Sequence, residues 1–356
     1  MKSFWDSLPH PFYALAPLAN VTDAAFRRIV AKYSKPAGPH VCFTEFVSAD
    51  GLLSAGRDKL LPDLMYSESE RPIVAQLFTG NPEKMCEAAK LVRTLGFDGL
   101  DINMGCPDRS IEKSGAGAAL IKNPARAREI IRAAKEGAAP LPVSVKTRLG
   151  YNRDILEEWL PELLAERPAA VTIHARTRKE MSKVPAHWER VKRAVEIRDS
   201  VTRSSHVKTL ILGNGDVMTL AEAREKARET GADGIMLGRA IFGKPWLFAC
   251  EGREDDGSLR SGLESGKRSD LSPPSLQNRL SILLEHIKLF EKLLGRHKPF
   301  ALMKKHFKAY VEGFPACRDA RGAGRDGAKE LRLRLMETEN AEQVENAVAE
   351  FLETIQ

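Results

Sequence analysis

Eight short apolar or β-branched runs, recurring about every 30 residues, constrain the fold of this chain more than any other feature of its sequence. Most are separated by stretches with helical periodicity, such as residues 82 to 94. Alternating strands and helices joined by right-handed crossovers form a parallel sheet, and eight repeats allow that sheet to close into a (β/α)8 barrel. The runs are FYALAP (12 to 17), VCFTEF (41 to 46), IVAQLF (73 to 78), GLDINM (99 to 104), VSVKTR (143 to 148), AVTIHA (170 to 175), TLILGN (209 to 214) and GIMLGR (234 to 239).

The polar residues of these runs distinguish the barrel from an open, doubly wound sheet, which also alternates strands and helices. Almost every run carries, at or near its carboxyl end, a residue unlike its apolar body. A barrel gathers all eight strand ends around one site, whereas an open sheet uses mainly the ends near its switch point. The pattern therefore predicts an α/β protein with a TIM barrel. The residues at or near the carboxyl ends of the eight runs are Pro17, Glu45, Gln76, Asn103, Lys146, His174, Asn214 and Arg239.

The composition changes after residue 250, which predicts three parts in the chain. Residues 251 to 274 are polar, rich in Gly and Ser and poor in large apolar side chains, as expected of a flexible linker. From residue 275 onward apolar residues recur at helical spacing, and a last helix is predicted from about 341 to 354. We therefore expect a catalytic barrel over residues 1 to 250, a linker over 251 to 274 and a small C-terminal helical domain over 275 to 356.

The composition also excludes several classes of protein. No stretch approaches the ~20 consecutive apolar residues that a membrane-spanning helix needs. The first residues show no basic head followed by an apolar run, so we expect no secretory signal and a cytoplasmic protein. The five cysteines lack C-x-x-C pairing or zinc-type spacing, which argues against a disulfide framework and a metal site.

Positive charge is concentrated in the C-terminal part. Residues 296 to 334 contain eleven Lys or Arg against four Asp or Glu, an excess equal to the net charge of +7 of the whole chain. Such a local excess is found in proteins that bind a polyanion, but from charge alone a solvated helical face is the favoured explanation.

A cysteine lies where the fourth run ends. In residues 99 to 120, GLDINMGCPDRSIEKSGAGAAL, an apolar run ends in a Gly-Cys-Pro turn, and a run of small residues then opens a predicted helix. At the mouth of a barrel Cys106 could be a nucleophile, a general acid or a buried structural thiol. A general acid would have to remain a neutral thiol, so a strongly lowered pKa would exclude that role.

The other strand ends predict an anion site and a ring-binding site. Glycines follow the seventh and eighth runs in ILGNGDV (211 to 217) and IMLGRA (235 to 240), where barrels commonly bind phosphate, and Arg239 could contact the same phosphate. Lys146 would need an anionic or electron-rich partner such as a flavin ring to offset its desolvation. Gln76 and His174 could donate hydrogen bonds to the edges of such a ring.

Taken together, these segments resemble the tRNA-dihydrouridine synthase family, flavin-dependent reductases of uridine in transfer RNA. The resemblance covers nearly the whole chain, in the family's order and spacing. It is carried by APLANVTDAAFR (16 to 27), TEFVSADGL (44 to 52), AQLF (75 to 78), DINMGCP with SGAGAALI (101 to 121), SVKTRLG (144 to 150), TIHARTR (172 to 178), GNGDV (213 to 217) and LGRAIFGKPW (237 to 246).

The resemblance implies FMN as cofactor, NADPH as reductant and tRNA as substrate. It implies that Cys106 protonates C5 of uracil while reduced FMN delivers hydride to C6, and that basic helices including MKKH (303 to 306) contact tRNA; we expect a monomer. The implied cofactor-binding residues are Pro17, Leu18, Ala19, Gln76, Lys146, His174, Asn214, Gly215, Asp216, Gly238 and Arg239, and the implied substrate residues are Asn103, Arg176, Lys304 and Lys305.

The chain departs from the family pattern in two places. The loop KEMSKVPAHW (179 to 188) has Met181 where many members carry an aromatic residue, and the segment after Phe248 is unusually long. Two other functions remain as alternatives: an FMN-dependent barrel oxidoreductase that acts on a small molecule, and an RNA-binding protein built on a barrel without activity. Turnover without RNA would favour the first, and failure to bind FMN would favour the second.

Overall fold

The computed structural model describes residues 3 to 202, 208 to 249, 274 to 311, 317 to 318, 324 to 325 and 327 to 355. The predicted linker lies outside the described residues except for Pro274. Strands and α-helices are numbered below in chain order, and short 3-10 helices are named by their bounds.

Eight parallel strands form a closed barrel in which each strand pairs with the next and β8 pairs with β1. The predicted (β/α)8 barrel is thereby confirmed. The strands are β1 (Phe12–Leu15), β2 (Val41–Ser48), β3 (Ile73–Phe78), β4 (Gly99–Met104), β5 (Val143–Arg148), β6 (Ala170–His174), β7 (Leu210–Asn214) and β8 (Gly234–Leu237).

Helices alternate with the strands of the barrel, and in the described part of the chain four further α-helices follow β8. The helix predicted over residues 82 to 94 is confirmed: Asn81 caps its first turn through a hydrogen bond from the Lys84 N–H, and Pro82 occupies its first position. The helices are α1 (Ala24–Ser34), α2 (Ala49–Leu52), α3 (Arg57–Leu60), α4 (Pro82–Thr94), α5 (Arg109–Lys113), α6 (Pro124–Ala138), α7 (Leu156–Ala165), α8 (Trp188–Thr202), α9 (Leu220–Thr230), α10 (Leu276–Leu294), α11 (Lys304–Tyr310), α12 (Gly327–Glu337) and α13 (Ala341–Ile355).

The segment after Cys106 differs from the predicted single helix. It forms the short helix α5, a 3-10 helix over Gly117–Lys122, and then α6, which begins at Pro124. Gly115 and Gly117 have φ values of +74° and +59°. Because these left-handed conformations interrupt a right-handed helix, the small residues form a compact turn and the long helix starts later.

Contacts divide the chain into two compact units. The first comprises residues 1 to 24 and 39 to 239, and the second comprises residues 25 to 38 and 240 to 356. The domain boundaries predicted at 250 and 275 stay a prediction. Among the helices that the structure describes, none is long and apolar enough to span a membrane.

The second unit has its own apolar core. Helices α10 to α13 pack together, and the helix expected at 341 to 354 is confirmed as α13. Tyr33 donates a hydrogen bond of 2.6 Å to Glu285, and Lys32 contacts the same carboxylate. The core includes Ala25, Ile29, Leu280, Leu283, Ile287, Phe290, Leu294, Met303, Phe307, Tyr310, Leu331, Leu335, Val344 and Val348.

Two buried histidines lie in this core, on α10 and α11. The ring of His286 is 4.9 Å from that of His306 and 5.1 Å from that of Phe26, measured between centroids. His286 Nε2 has no hydrogen-bond partner within the described part of the chain. Burial, together with His306, lowers the pKa of His286 well below its usual value, so this imidazole is neutral in the folded protein.

Candidate active site

A cavity of about 320 Å³ opens at the carboxyl end of the barrel in the first unit, within the usual size range of small-ligand sites. Seven of the eight residues predicted at strand ends line it. The exception is Glu45, which accepts a hydrogen bond from the Asn20 N–H and so supports the loop after β1. The predicted site residues that line the cavity are Pro17, Leu18, Gln76, Asn103, Cys106, Lys146, His174, Arg176, Asn214, Gly215, Asp216, Gly238 and Arg239.

Three predicted site residues lie elsewhere. Ala19 is exposed in the loop between β1 and α1 and does not line the cavity. Lys304 and Lys305 lie at the start of α11 in the second unit, where Lys305 is exposed and Lys304 is half-buried.

The turn after β4 holds Cys106 at the cavity. Asn103 Oδ1 accepts hydrogen bonds from the backbone N–H groups of Gly105, at 3.1 Å, and Cys106, at 2.9 Å. On the other side the Ala118 N–H donates to the Cys106 carbonyl at 2.9 Å. A Cβ on Gly117 would approach that carbonyl to 2.8 Å, so the close approach requires glycine.

The Cys106 thiol is neutral at physiological pH. Burial raises its pKa above the ordinary value, and this effect outweighs the opposing hydrogen bond from the Asp108 backbone N–H and the charges of Arg148 and Lys146. A thiol in this state can donate a proton but is a weak nucleophile. Of the roles open to Cys106, the electrostatics favour the general acid.

Two arginines tie the Cys106 segment to the loop after β6. Arg148 donates from Nε to the Gly105 carbonyl at 2.8 Å, and from Nη1 to the carbonyls of Thr177 and Met181 at 3.1 and 3.2 Å. Arg178 forms an ion pair with Glu112 on α5. Both arginines therefore fix the segments that flank the cavity.

Lys146 places a positive charge in the lining of the cavity. Its Nζ lies 3.2 Å from Asn214 Oδ1, and Asn214 Nδ2 donates to the Met236 carbonyl at 2.8 Å, which links β5, β7 and β8. Burial, aided by neighbouring Arg148, lowers the pKa of Lys146 to about 8. Burial likewise lowers the pKa of Arg148 to about 10. Both groups remain mainly protonated at neutral pH and favour an anionic or electron-rich ligand.

His174 is neutral and has one defined tautomer. Burial, followed by the charges of Lys146 and nearby arginines, lowers its pKa far below the usual value. Its Nε2 lies 3.2 Å from Arg176 Nη1. Because a guanidinium can only donate, Nε2 is the acceptor and the ring proton resides on Nδ1.

Asp216 connects two arginines at the mouth of the cavity. Burial alone would raise its pKa, but hydrogen bonds from Arg176 and the Ala186 N–H, with the charge of Arg239, lower it overall. The Arg176 side chain is only 3% exposed, and it also donates to the Val184 carbonyl at 2.6 Å. Arg176 therefore acts as a buried support for Asp216, whereas Arg239 is largely exposed.

The turn at residues 214 to 216 requires glycine at its middle position. Gly215 has a φ of +136°, and a Cβ there would lie 2.8 Å from that of Ala186. The Gly215 carbonyl accepts a hydrogen bond of 3.0 Å from Trp188 Nε1. This contact fixes the turn beside Arg239, as an anion-binding backbone requires.

Comparison with known proteins places this site in a family. The sequence profile described as "Dihydrouridine synthase (Dus)" matches residues 14 to 349 of the chain. The chain belongs to the dihydrouridine synthase family. The resemblance inferred from the strand-end motifs is thereby confirmed.

Named relatives of this chain align over almost their whole length. A Bacillus subtilis (strain 168) protein named "Probable tRNA-dihydrouridine synthase 2" is 37% identical over 353 residues, covering 98% of this chain and 97% of its own. A Staphylococcus epidermidis protein named "Probable tRNA-dihydrouridine synthase" is 38% identical, covering 95% of this chain and 93% of its own. Among solved structures, an old yellow enzyme homologue from Zymomonas mobilis has a TM-score of 0.45 and 14% identity, covering 68% of this chain and 90% of its own.

Two exposed methionines form part of the cavity rim. Met181 is 38% exposed and Met218 is 44% exposed, and both line the cavity. Met181 also has a φ of +57°, a conformation uncommon for a side chain of its size. Arg148 holds the Met181 carbonyl in place. The loop after β6 therefore presents a flexible apolar side chain at the rim.

Sequence reasoning missed Arg148 as a site residue. Its position at the carboxyl end of β5 was a usable signal, because strand ends carry the other polar residues of the site. Its acceptors belong to Gly105, Thr177 and Met181, in loops distant in sequence, and no local pattern reveals them.

Proposed function

We propose that this dihydrouridine synthase reduces the C5–C6 double bond of specific uridines in tRNA, using FMN and NADPH. The observation that carries the proposal is a neutral Cys106 thiol in the same cavity as Lys146, which suits proton donation beside an electron-rich cofactor. The names of the similar proteins support tRNA as the substrate class.

The residues of the cavity fit FMN. Lys146, Arg148, Arg176 and Arg239 bring four cationic groups to its lining, against the single lining carboxylate of Asp216, so the donor set suits a ligand with an anionic end. Because the Asp216 carboxylate is occupied by two arginines, we expect this residue to contact a phosphate through its backbone N–H. When bound, FMN reduced by NADPH would supply the electrons of the reaction.

The remaining cofactor contacts follow from the same lining. Gln76, Lys146 and the Nδ1–H of His174 would bind the ring, and backbone groups of Pro17 and Leu18 would support it. Ala19 lies outside the lining, so its backbone contact with the cofactor rests on the family resemblance alone. The phosphate end would be held by the turns that contain Asn214, Gly215 and Asp216 and those that contain Gly238 and Arg239.

The protein's own chemistry is a proton transfer from a fixed thiol. Cys106 would give its proton to C5 of the uracil, and Asn103 would seat the base while holding the Cys106 turn. Arg148 would keep the turn and the rim loop in a fixed relation through its three carbonyl contacts. Because the uridine must leave its stack to reach the cavity, base flipping is expected.

Recognition of tRNA would use positive charge on the helical unit. Lys304 and Lys305 on α11 would contact phosphates, while Arg176 would contribute to substrate binding through Asp216 and the rim loop. We further propose that the protein acts as a monomer in the cytoplasm, where tRNA and NADPH are available.

The test is an assay of dihydrouridine in tRNA incubated with the FMN-loaded protein and NADPH. We expect product with the parent, loss of at least ~100-fold in rate for Cys106→Ala, and parental activity for Cys86→Ala, whose thiol lies outside the cavity. FMN binding without any dihydrouridine, or reduction of free uridine without RNA, would contradict the proposal and favour a small-molecule reductase.

A further inference from the structure

Four buried polar side chains form a continuous hydrogen-bonded chain across strands β3, β4 and β5. Gln76, Asp101, Asn103 and Ser144 are all at most 6% exposed. The strand register pairs Gln76 with Asp101 and Asp101 with Ser144. Asn103, the last member of this chain, binds the backbone N–H of Cys106. The buried Asp101 is therefore connected to the proposed acid through hydrogen bonds.

Each link of this chain has good geometry. Ser144 Oγ donates to Asp101 Oδ1 at 2.5 Å, and Gln76 Nε2 donates to Asp101 Oδ2 at 2.6 Å. Asn103 Nδ2 donates to Gln76 Oε1 at 3.0 Å. Asn103 Oδ1 then accepts the backbone N–H groups of the Cys106 turn.

The two ends of the chain determine the direction of both amides. Burial raises the pKa of Asp101 to about 6, so its carboxyl group is mainly ionised at neutral pH. An ionised carboxylate can only accept hydrogen bonds, so Gln76 must present its amide nitrogen to Asp101 and its oxygen to Asn103. The backbone N–H groups of Gly105 and Cys106 can only donate, so Asn103 must present its oxygen to them. Reversing either amide would place donor against donor or oxygen against oxygen in a buried site, which is costly.

We propose that Asp101 is a positioning residue for Cys106: its acceptor oxygen fixes the orientation of Gln76 and Asn103, and through them the turn that carries the thiol. The inference rests on the proposed function for the role of Cys106. Asp101 does not line the cavity, so it acts through the two amides and not by contact with a ligand.

The experiment measures alkylation of Cys106 by iodoacetamide in the full chain, with and without FMN, by mass spectrometry of the modified peptide. Asp101→Leu removes the acceptor and allows the amides to reorient. We expect the Cys106 turn to loosen and the alkylation rate to rise about tenfold, the scale of one lost hydrogen bond. Dihydrouridine synthesis should fall in parallel.

The conservative variant separates positioning from general damage to the barrel. In Asp101→Asn the amide oxygen can face Gln76 while the amide nitrogen donates to the Ser144 hydroxyl, so the direction of the chain is kept. We expect its alkylation rate to stay within about twofold of the parent. Ser144→Ala serves as the matched control, because Asp101 remains an acceptor, and it should also stay near the parent.

A second interruption keeps the test informative. Gln76→Leu breaks the same chain at its middle and leaves Asp101 intact. It should raise the rate of Cys106 alkylation as Asp101→Leu does. If circular dichroism shows that Asp101→Leu is not folded, Gln76→Leu takes its place in the test. Parental alkylation in the folded leucine variants would overturn the inference. So would an Asp101→Asn protein as reactive as Asp101→Leu, because the charge and not the acceptor would then matter.

The alkylation measurement is independent of the proposed activity. If the parent binds FMN but makes no dihydrouridine, the proposed function fails, while the order of alkylation rates still reports on the hydrogen-bonded chain. If the parent makes dihydrouridine and the rates do not follow that order, only the role of Asp101 fails.

Discussion

The proposed acid role of Cys106 depends on its keeping a proton that an active-site cysteine often loses. Reactive cysteines are usually surrounded by groups that stabilise the thiolate. Here burial prevails over Lys146 and Arg148, and the pKa of the thiol is raised. The same cations that favour an anionic ligand are therefore compatible with an acidic role for the cysteine.

This balance gives a pH dependence. As a general acid, Cys106 is active while protonated, so we expect the rate of uridine reduction to be constant at neutral pH and to fall as pH rises through the raised thiol pKa. Lys146, whose pKa is about 8, loses its charge in the same direction. The measurement is the single-turnover rate with tRNA between about pH 6 and pH 10.

Two variants separate these titrations. Cys106→Ser should lower the rate by roughly 10²–10⁴-fold, because a hydroxyl is a poor acid, and should leave only the fall due to Lys146. Lys146→Arg keeps the positive charge, so the fall near pH 8 should disappear. A parental rate that already declines below pH 7, with no such decline in Cys106→Ser, would indicate a lowered thiol pKa and contradict the acid role.

At the scale of elements, the packing of α10 against α11 buries an imidazole that must stay neutral. His286 lies in contact distance of His306 and Phe26, and its Nδ1 is 3.3 Å from the Tyr310 hydroxyl. In the unfolded chain the same imidazole is free to bind a proton with an ordinary pKa.

Acid should therefore destabilise the helical unit. Because the folded pKa of His286 lies below the unfolded value of about 6.5, the unfolded state binds more protons as pH falls, and stability present above pH 6.5 is lost below it. Between about pH 7.5 and 5.5 the loss from this residue should approach 1.4 kcal/mol.

Urea unfolding at the two pH values measures this loss. His286→Phe should reduce the difference in unfolding free energy by that amount, and His10→Gln, at an exposed position of the first unit, should not. An unchanged pH dependence in His286→Phe would mean that the histidine is protonated in the folded state.

The sequence was sufficient to locate most elements of the barrel. The runs at 73 to 78, 99 to 104 and 143 to 148 coincide with β3, β4 and β5, because buried parallel strands are continuous apolar segments. The runs ending at Pro17 and Arg239 extend past β1 and β8, where the chain leaves the ladder to line the cavity. Helix α12 was not predicted.

The sequence located the site less completely than the strands. It identified residues at strand ends because the barrel fold brings those ends together. Its assignment of Arg176 to the substrate stays a prediction: this residue lines the cavity, and its side chain is buried against Asp216 and His174. Hydrogen-bond partners of this kind depend on loop conformation, which no local periodicity records.

At the scale of the whole molecule, the proposed function requires a polyanion to be bound by the helical unit. Each phosphate contact by Lys or Arg contributes a salt-dependent increment to affinity. Lys305 is exposed on α11 and is predicted to make one such contact.

Lys305→Ala should therefore weaken tRNA binding and lower the slope of log Kd against log salt by about 1. Lys226→Ala, on a barrel helix and paired with Glu229, is the matched control and should leave the slope unchanged. Fluorescence anisotropy of labelled tRNA over about 50–200 mM salt gives both slopes. Equal slopes for parent and Lys305→Ala would exclude this lysine from the RNA interface.

The second unit is assembled from two separate pieces of chain, residues 25 to 38 and residues 240 to 356. Ala25 and Ile29 from the first piece share an apolar core with Leu280 and Phe307 from the second. Dividing the chain at one point therefore cannot give two parts that each keep a complete core. A barrel that ended at residue 239 would keep α1 without the residues that cover its apolar side chains. Evolution by exchange of whole domains is correspondingly restricted, and the two units are expected to be inherited together.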